Sequence, residues 1–197
     1  MNVERTERGV RAEFADGTTV SGAMLVGADG NSSVVRKLLA PTTYPVHRLP
    51  INALGVGLDM TEEQYISFKA IDPLYFMGTH PETNTYTFWS LLGTPREKGQ
   101  PYPAQLYFSW LKSEHDEETF KMPLIDIFKE KGRPFFPKMR EVVDSLADDT
   151  LVTSVNLVDW PSVEWDNWAG KCTLIGDAAH CMVICNTASL LDHPLRT

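Results

Sequence analysis

The chain is 197 residues long, 43% hydrophobic and 22% charged, enough apolar material for one large or two small globular domains and too much for a disordered polymer. Its 26 acidic and 18 basic residues leave a formal net charge of −8, which excludes a nucleic-acid surface because phosphate binding needs clustered Lys and Arg. No uninterrupted apolar run reaches the length of a membrane span, and Met1-Asn2-Val3-Glu4-Arg5 opens a charged stretch with no secretory signal.

In chain order, Arg8 to Phe14 alternates weakly, Asp16-Gly17 supplies a hairpin turn, and Thr18 to Val26 reads as the returning strand. That strand ends in Ala23-Met24-Leu25-Val26, an apolar stretch suited to a sheet buried on both faces. Ser32 or Ser33 then caps a helix through Val34, Val35, Leu38 and Leu39, which Pro41 and Pro45 end. Residues 49–112 are strand-like throughout, with strands expected at Ile51–Leu58, Leu74–Met77, Thr85–Leu92 and Gln105–Leu111, and an exposed loop over Pro95–Pro103. Apolar spacing predicts helices over Glu117–Glu130 and Phe136–Leu146. Strands over Leu151–Val158 and Cys172–Ile175 complete the pattern.

Two segments carry the chemistry: Gly27-Ala28-Asp29-Gly30-Asn31-Ser32-Ser33-Val34-Val35-Arg36, and Leu174-Ile175-Gly176-Asp177-Ala178-Ala179-His180. Each is an apolar run that ends in a Gly/Asp turn where a helix would begin. Such a turn sets backbone N–H groups and one carboxylate beside an anionic or nucleotide-sized ligand. Either could also be a plain strand-to-helix turn, with Asp177 capping the next helix and Arg36 a solvated helix residue. His180 with Cys181 and Cys185 lacks the paired ligand clusters of a zinc module, so no metal is expected. Three cysteines near one end, Cys172, Cys181 and Cys185, are an odd number that argues against a disulfide framework and for a reducing, cytoplasmic setting. The aromatics of the middle, among them Tyr75, Phe76, Tyr86, Phe88, Trp89, Tyr107, Phe108 and Trp110, either fill a core or line an aromatic pocket.

Together and in this order, the two segments resemble the second and third fingerprints of the FAD-dependent aromatic hydroxylases, the para-hydroxybenzoate and salicylate hydroxylase type. The Ser33 and Arg36 spacing and the stretch from Trp165 through Cys172 to His180 belong to the same resemblance, which runs from about Val10 to Met182. It implies an α/β (α+β mixed) fold: a partial FAD-binding, Rossmann-like domain formed by 1–47 and 150–197, with an inserted, mainly antiparallel substrate domain at 48–149. It implies FAD as cofactor, held by Gly176 and Asp177 at a ribityl hydroxyl and approached by Asp29 and Gly30. NAD(P)H would be the reductant and a small, aromatic or related molecule the substrate, hydroxylated by FAD-dependent monooxygenation. Because the cofactor carries that chemistry, no catalytic side chain is assigned.

The chain departs from the family pattern in two places. It contains no Gly-x-Gly-x-x-Gly, and the family's opening strand, turn and helix would precede Met1; after Gly176 there is no further glycine. A form truncated at both ends is therefore expected, binding FAD weakly, with weak or no activity. The alternative is a non-catalytic small-molecule-binding or regulatory remnant. The flavoenzyme reading requires Asp29 and Asp177 to meet at one groove.

Overall fold

The computed structural model describes residues 1–114, 116–161 and 163–181, which form two compact units, one from both ends of the chain and one from its middle. Among the described residues, the terminal unit comprises 1–49 and the stretch from 158 to 181, and the middle unit 50–157. The secondary structure is mixed α/β, as the sequence leads one to expect, with mainly antiparallel sheets.

The terminal unit opens with β1 (Asn2–Thr6), β2 (Gly9–Glu13) and β3 (Thr19–Gly22), an antiparallel sheet in that order. The charged opening stretch is thus itself a strand: Val3 turns inward beside Val10 and Ala12, and its charged neighbours face water. The returning strand expected over 18–26 is two strands. After β3 the chain changes sheets, the Leu25 amide donates to the Lys171 carbonyl (2.9 Å), and β4 (Leu25–Gly27) begins. Helix α1 (Val34–Leu39) follows, capped by Ser33, whose hydroxyl accepts from the Arg36 amide. The short strand β5 is His47–Arg48.

In the middle unit, β6 (Ile51–Met60) leads into α2 (Glu62–Lys69), a helix in a region read from sequence as strands alone. Its signal is local: the Thr61 hydroxyl and Gln64 side chain form a reciprocal capping box, whereas only Tyr65 and Phe68 are buried, too few for a periodic stripe. Strands β7 (Tyr75–His80), β8 (Thr85–Leu91) and β9 (Tyr102–Leu111) follow. The single helix expected over 117–130 is α3 (Asp116–Thr119) and α4 (Leu124–Gly132), divided at Pro123, which has no N–H to continue a helix. Helix α5 (Pro137–Asp144) and β10 (Val152–Ser154) close the unit.

The five-stranded sheet has the order β10-β6-β9-β8-β7, antiparallel throughout. One face carries Leu54, Val56, Leu106, Phe108 and Trp89, packed with Phe68, Ile127, Phe128, Met139 and Val143 of the helices into the main core. Residues 150–157, which the sequence assigns to the terminal segments, lie in this unit because β10 pairs with β6, Thr153 opposite Gly55.

The chain then returns to the terminal unit with β11 (Val158–Asp159), paired to β5, and β12 (Cys172–Leu174), paired in parallel to β4. The strand expected over 151–158 is therefore divided between two sheets. Val35, Leu39, Trp160, Cys172, Leu174 and Ala178 form the core of this unit. Among the described residues, no helix is long and apolar enough to cross a membrane.

Candidate functional site

The parallel pairing of β4 with β12 places Leu25 opposite Cys172, Val26 opposite Thr173 and Gly27 opposite Leu174. The Ile175 amide extends this ladder by donating to the Gly27 carbonyl at 2.9 Å. Both Gly/Asp turns therefore leave the carboxyl ends of neighbouring parallel strands, the edge at which open α/β sheets bind ligands.

Gly30 (φ +76°) and Gly176 (φ +60°) stand in the left-handed region that an L side chain enters only at a cost. Among the described residues, a Cβ at either would meet nothing within 4 Å. In the first turn the Asp29 carboxylate is engaged by its own chain. It accepts from the Ser33 hydroxyl (2.5 Å), the Val34 amide (2.7 Å) and the Val35 amide (3.3 Å). Partial burial pushes this carboxyl up, but these bonds outweigh it and hold Asp29 below the usual carboxylate range.

In the second turn Gly176–Ala178 form a single 3-10 turn, and the amides of Ala179 and His180 both donate to the Gly176 carbonyl at 2.9 Å. Asp177 is exposed, and among the described residues no hydrogen bond engages its carboxylate. The two aspartates are therefore unlike: Asp29 serves the start of α1, and the exposed Asp177 carboxylate has no such partner among the described residues.

Arg36 is not a solvated helix residue. It is 2% exposed, and its guanidinium lies 5.0 Å from the centroid of the Trp160 ring. Its Nε donates to the Tyr44 carbonyl (3.0 Å), one terminal nitrogen to the carbonyls of Asp177 (3.2 Å) and Ala178 (3.1 Å), and the other to the Asn31 carbonyl. The sequence could not announce these acceptors, because backbone carbonyls carry no residue identity. Trp160, whose indole donates to the Thr43 carbonyl at 2.6 Å, was likewise not singled out.

His180 is exposed. Cys181 is buried, and its thiol donates to the Val158 carbonyl at 3.5 Å. Burial pushes this thiol up, with the charges of Asp177 and Asp159 adding and Arg36 opposing. Cys185, the third cysteine of the sequence reading, lies outside the described residues.

The aromatics of the middle unit divide by strand register. Phe76, Trp89, Phe108 and Trp110 belong to the core. The second face of the sheet carries Tyr75, Phe88 and Tyr107, with Phe88 6.5 Å from Tyr75 and 6.2 Å from Tyr107 between ring centroids. Tyr107 lies down on β6, where a Cβ at Gly55 would come within 2.1 Å of its ring. On the same face the Tyr107 hydroxyl donates to Gln105 Oε1 (3.3 Å), and Gln105 Nε2 donates to the Ser90 hydroxyl (2.8 Å). None of the strand residues that share this face is Lys, Arg or His.

No family model matches the chain. It is 40% identical over 187 residues to the FAD-dependent monooxygenase dbaB of Emericella nidulans, covering 90% of this chain and 47% of that protein. Among solved structures it resembles a Photorhabdus luminescens protein taken to be an FAD-containing monooxygenase, with a TM-score of 0.70, 19% identity, 94% of this chain and 52% of the other. It also resembles Klebsiella pneumoniae HpxO, solved in complex with FAD and uric acid, with a TM-score of 0.59, 17% identity, and coverage of 91% and 42%. The chain spans about half the length of the curated relatives it matches. At these identities the structural likeness speaks to the fold.

Proposed function

We propose that the chain is part of an FAD-dependent monooxygenase and takes part in NAD(P)H-dependent hydroxylation of a small aromatic molecule, a reading supported by its 40% identity to such a protein, of which it spans 47%. The observation that carries the reading is the parallel pairing of β4 with β12, which brings two glycine turns to one strand edge. The overall balance is substrate C–H, dioxygen, NAD(P)H and a proton giving substrate C–OH, water and NAD(P)+. Bound FAD would supply the passage of electrons to dioxygen that no side chain can provide.

The residues present fit that cofactor. Asp177 offers an exposed carboxylate, unengaged among the described residues, the acceptor a ribityl hydroxyl needs. Gly176 and Gly30 would let the two turns lie against the ligand. Asp29 would act at one remove, holding the start of α1 so that the peptide at Gly30 stays in place. An ionised acceptor facing a neutral hydroxyl contributes about 1.5–3 kcal/mol.

The second face of the middle sheet supports the aromatic part of the reading. Tyr75, Phe88 and Tyr107 offer ring surfaces, and Gln105 and Ser90 offer neutral hydrogen-bonding groups. With no Lys, Arg or His among the described strand residues of that face to pair with a carboxylate, a neutral hydroxylated ring suits it better than an aromatic acid. A non-catalytic binding role has one observation in its favour, since the middle unit has its own core beneath this face.

Titration of the purified chain with FAD, followed by flavin fluorescence, tests the proposal. Asp177→Ala is expected to weaken binding by roughly 10- to 150-fold, the equivalent of that one bond. No FAD binding, or equal affinity in the variant, would sink the assignment. An aromatic ligand bound without FAD, and with no NAD(P)H oxidation in its presence, would favour the binding role.

A further inference from the structure

Arg36 is a buried cation that, among the described residues, makes no ion pair. Its charge is met by four backbone carbonyls and the face of Trp160. Desolvating a guanidinium is costly, and an apolar side chain of similar length would fill this space without that penalty. What an apolar side chain could not do is hold two remote stretches of backbone in one register. Asn31 and Tyr44 lie on the segment around α1, whereas Asp177 and Ala178 lie 141 and 142 residues further along the chain. All three guanidinium nitrogens are committed to backbone carbonyls.

We infer that Arg36 is a positioning residue: it clasps the Asn31 and Asp177–Ala178 carbonyls, and so sets where the Asp177 carboxylate stands relative to the Gly30 turn. This inference rests on the proposed role of Asp177 in holding FAD. The clasp touches the backbone of Asp177 and not its carboxylate, so it leaves the acceptor free while restricting the turn that carries it. It also leaves Arg36 with little capacity to reach a ligand itself. A fork is needed here, not a charge: a lysine ammonium keeps the cation but cannot span acceptors on both segments.

Two measurements on the full chain test this. The first is FAD affinity in Arg36→Lys, Asp177→Ala and the double variant, with circular dichroism to verify folding. Arg36→Lys is expected to weaken FAD at least tenfold, and that loss is expected to shrink below twofold when Asp177 is already alanine. Independent, multiplying losses would overturn the inference, as would a lysine variant that binds like the parent protein. The second needs neither a variant nor a stable mutant fold. In the parent protein without FAD, the Arg36 Nε–H is expected to exchange slowly with solvent, as are the amides of Ala179 and His180. An Arg36 Nε–H that becomes protected only when FAD is added would mean that it contacts the ligand, which overturns the clasp. If the parent chain binds no FAD at all, the functional reading fails by itself, and the exchange measurement still decides whether Arg36 joins the two turns.

Discussion

At the scale of single residues, Gly30 and Asp29 do opposite kinds of work within one turn. The left-handed φ of Gly30 is a conformational demand with no packing demand attached, since a Cβ would meet nothing within 4 Å. Gly30→Ala is therefore expected to cost about 1–2 kcal/mol in urea unfolding, and Gly30→Asn less, because asparagine enters that region more readily. Equal losses for the two would show that space, not backbone conformation, is limiting. Asp29 makes a prediction in pH. Its folded carboxyl is held low by Ser33, Val34 and Val35 against the upward push of burial. Its contribution is thus complete above the unfolded value near ~3.9 and is lost as pH falls through the lower folded value. Amide exchange of residues 33–39 should accelerate below about pH 4 in the parent protein, while Asp29→Asn should show fast exchange already at neutral pH and a flatter acid limb. Parallel profiles would remove Asp29 from the helix start.

At the scale of elements, the least visible helix in the sequence makes the plainest prediction. Helix α2 has a capping box at Thr61 and Gln64 but little apolar periodicity. Thr61→Ala should lower stability by about 0.5–2 kcal/mol in urea unfolding. Gln64→Ala should remove the reciprocal bond to the Thr61 amide with a smaller effect, and no change in either variant would mean that α2 is held by Tyr65 and Phe68 alone. Elsewhere, elements were legible where pattern and punctuation agreed. The β6, β8 and β9 segments alternate or run apolar between turn residues, and α1 follows a serine that does cap it. Divisions were less legible. The breaks at Ala23-Met24 and at Val155–Leu157 occur where a strand exchanges one partner sheet for another, and the partner lies far along the chain.

At the scale of the whole molecule, each unit has a core of its own, so a ligand of one need not stabilise the other. FAD at 100 times its dissociation constant should stabilise what it binds by about 2.7 kcal/mol. By hydrogen exchange, that protection should appear over 25–39 and 172–181 of the terminal unit. Protection confined to β6, β8 and β9 would locate FAD elsewhere and contradict the role given to Asp177. The mixed α/β class, the two glycine turns and the resemblance they carry were determined by the sequence alone, because turn chemistry and hydrophobic alternation are written within a few residues of one another. Only the tertiary structure decided that Asp29 is spent on its own helix, that the Asp177 carboxylate is exposed and without a hydrogen bond among the described residues, and that Arg36 is buried with bonds to both turns. The place of Arg36 depends on hydrogen bonds to backbone carbonyls more than a hundred residues away, and such acceptors leave no trace in the order of side chains.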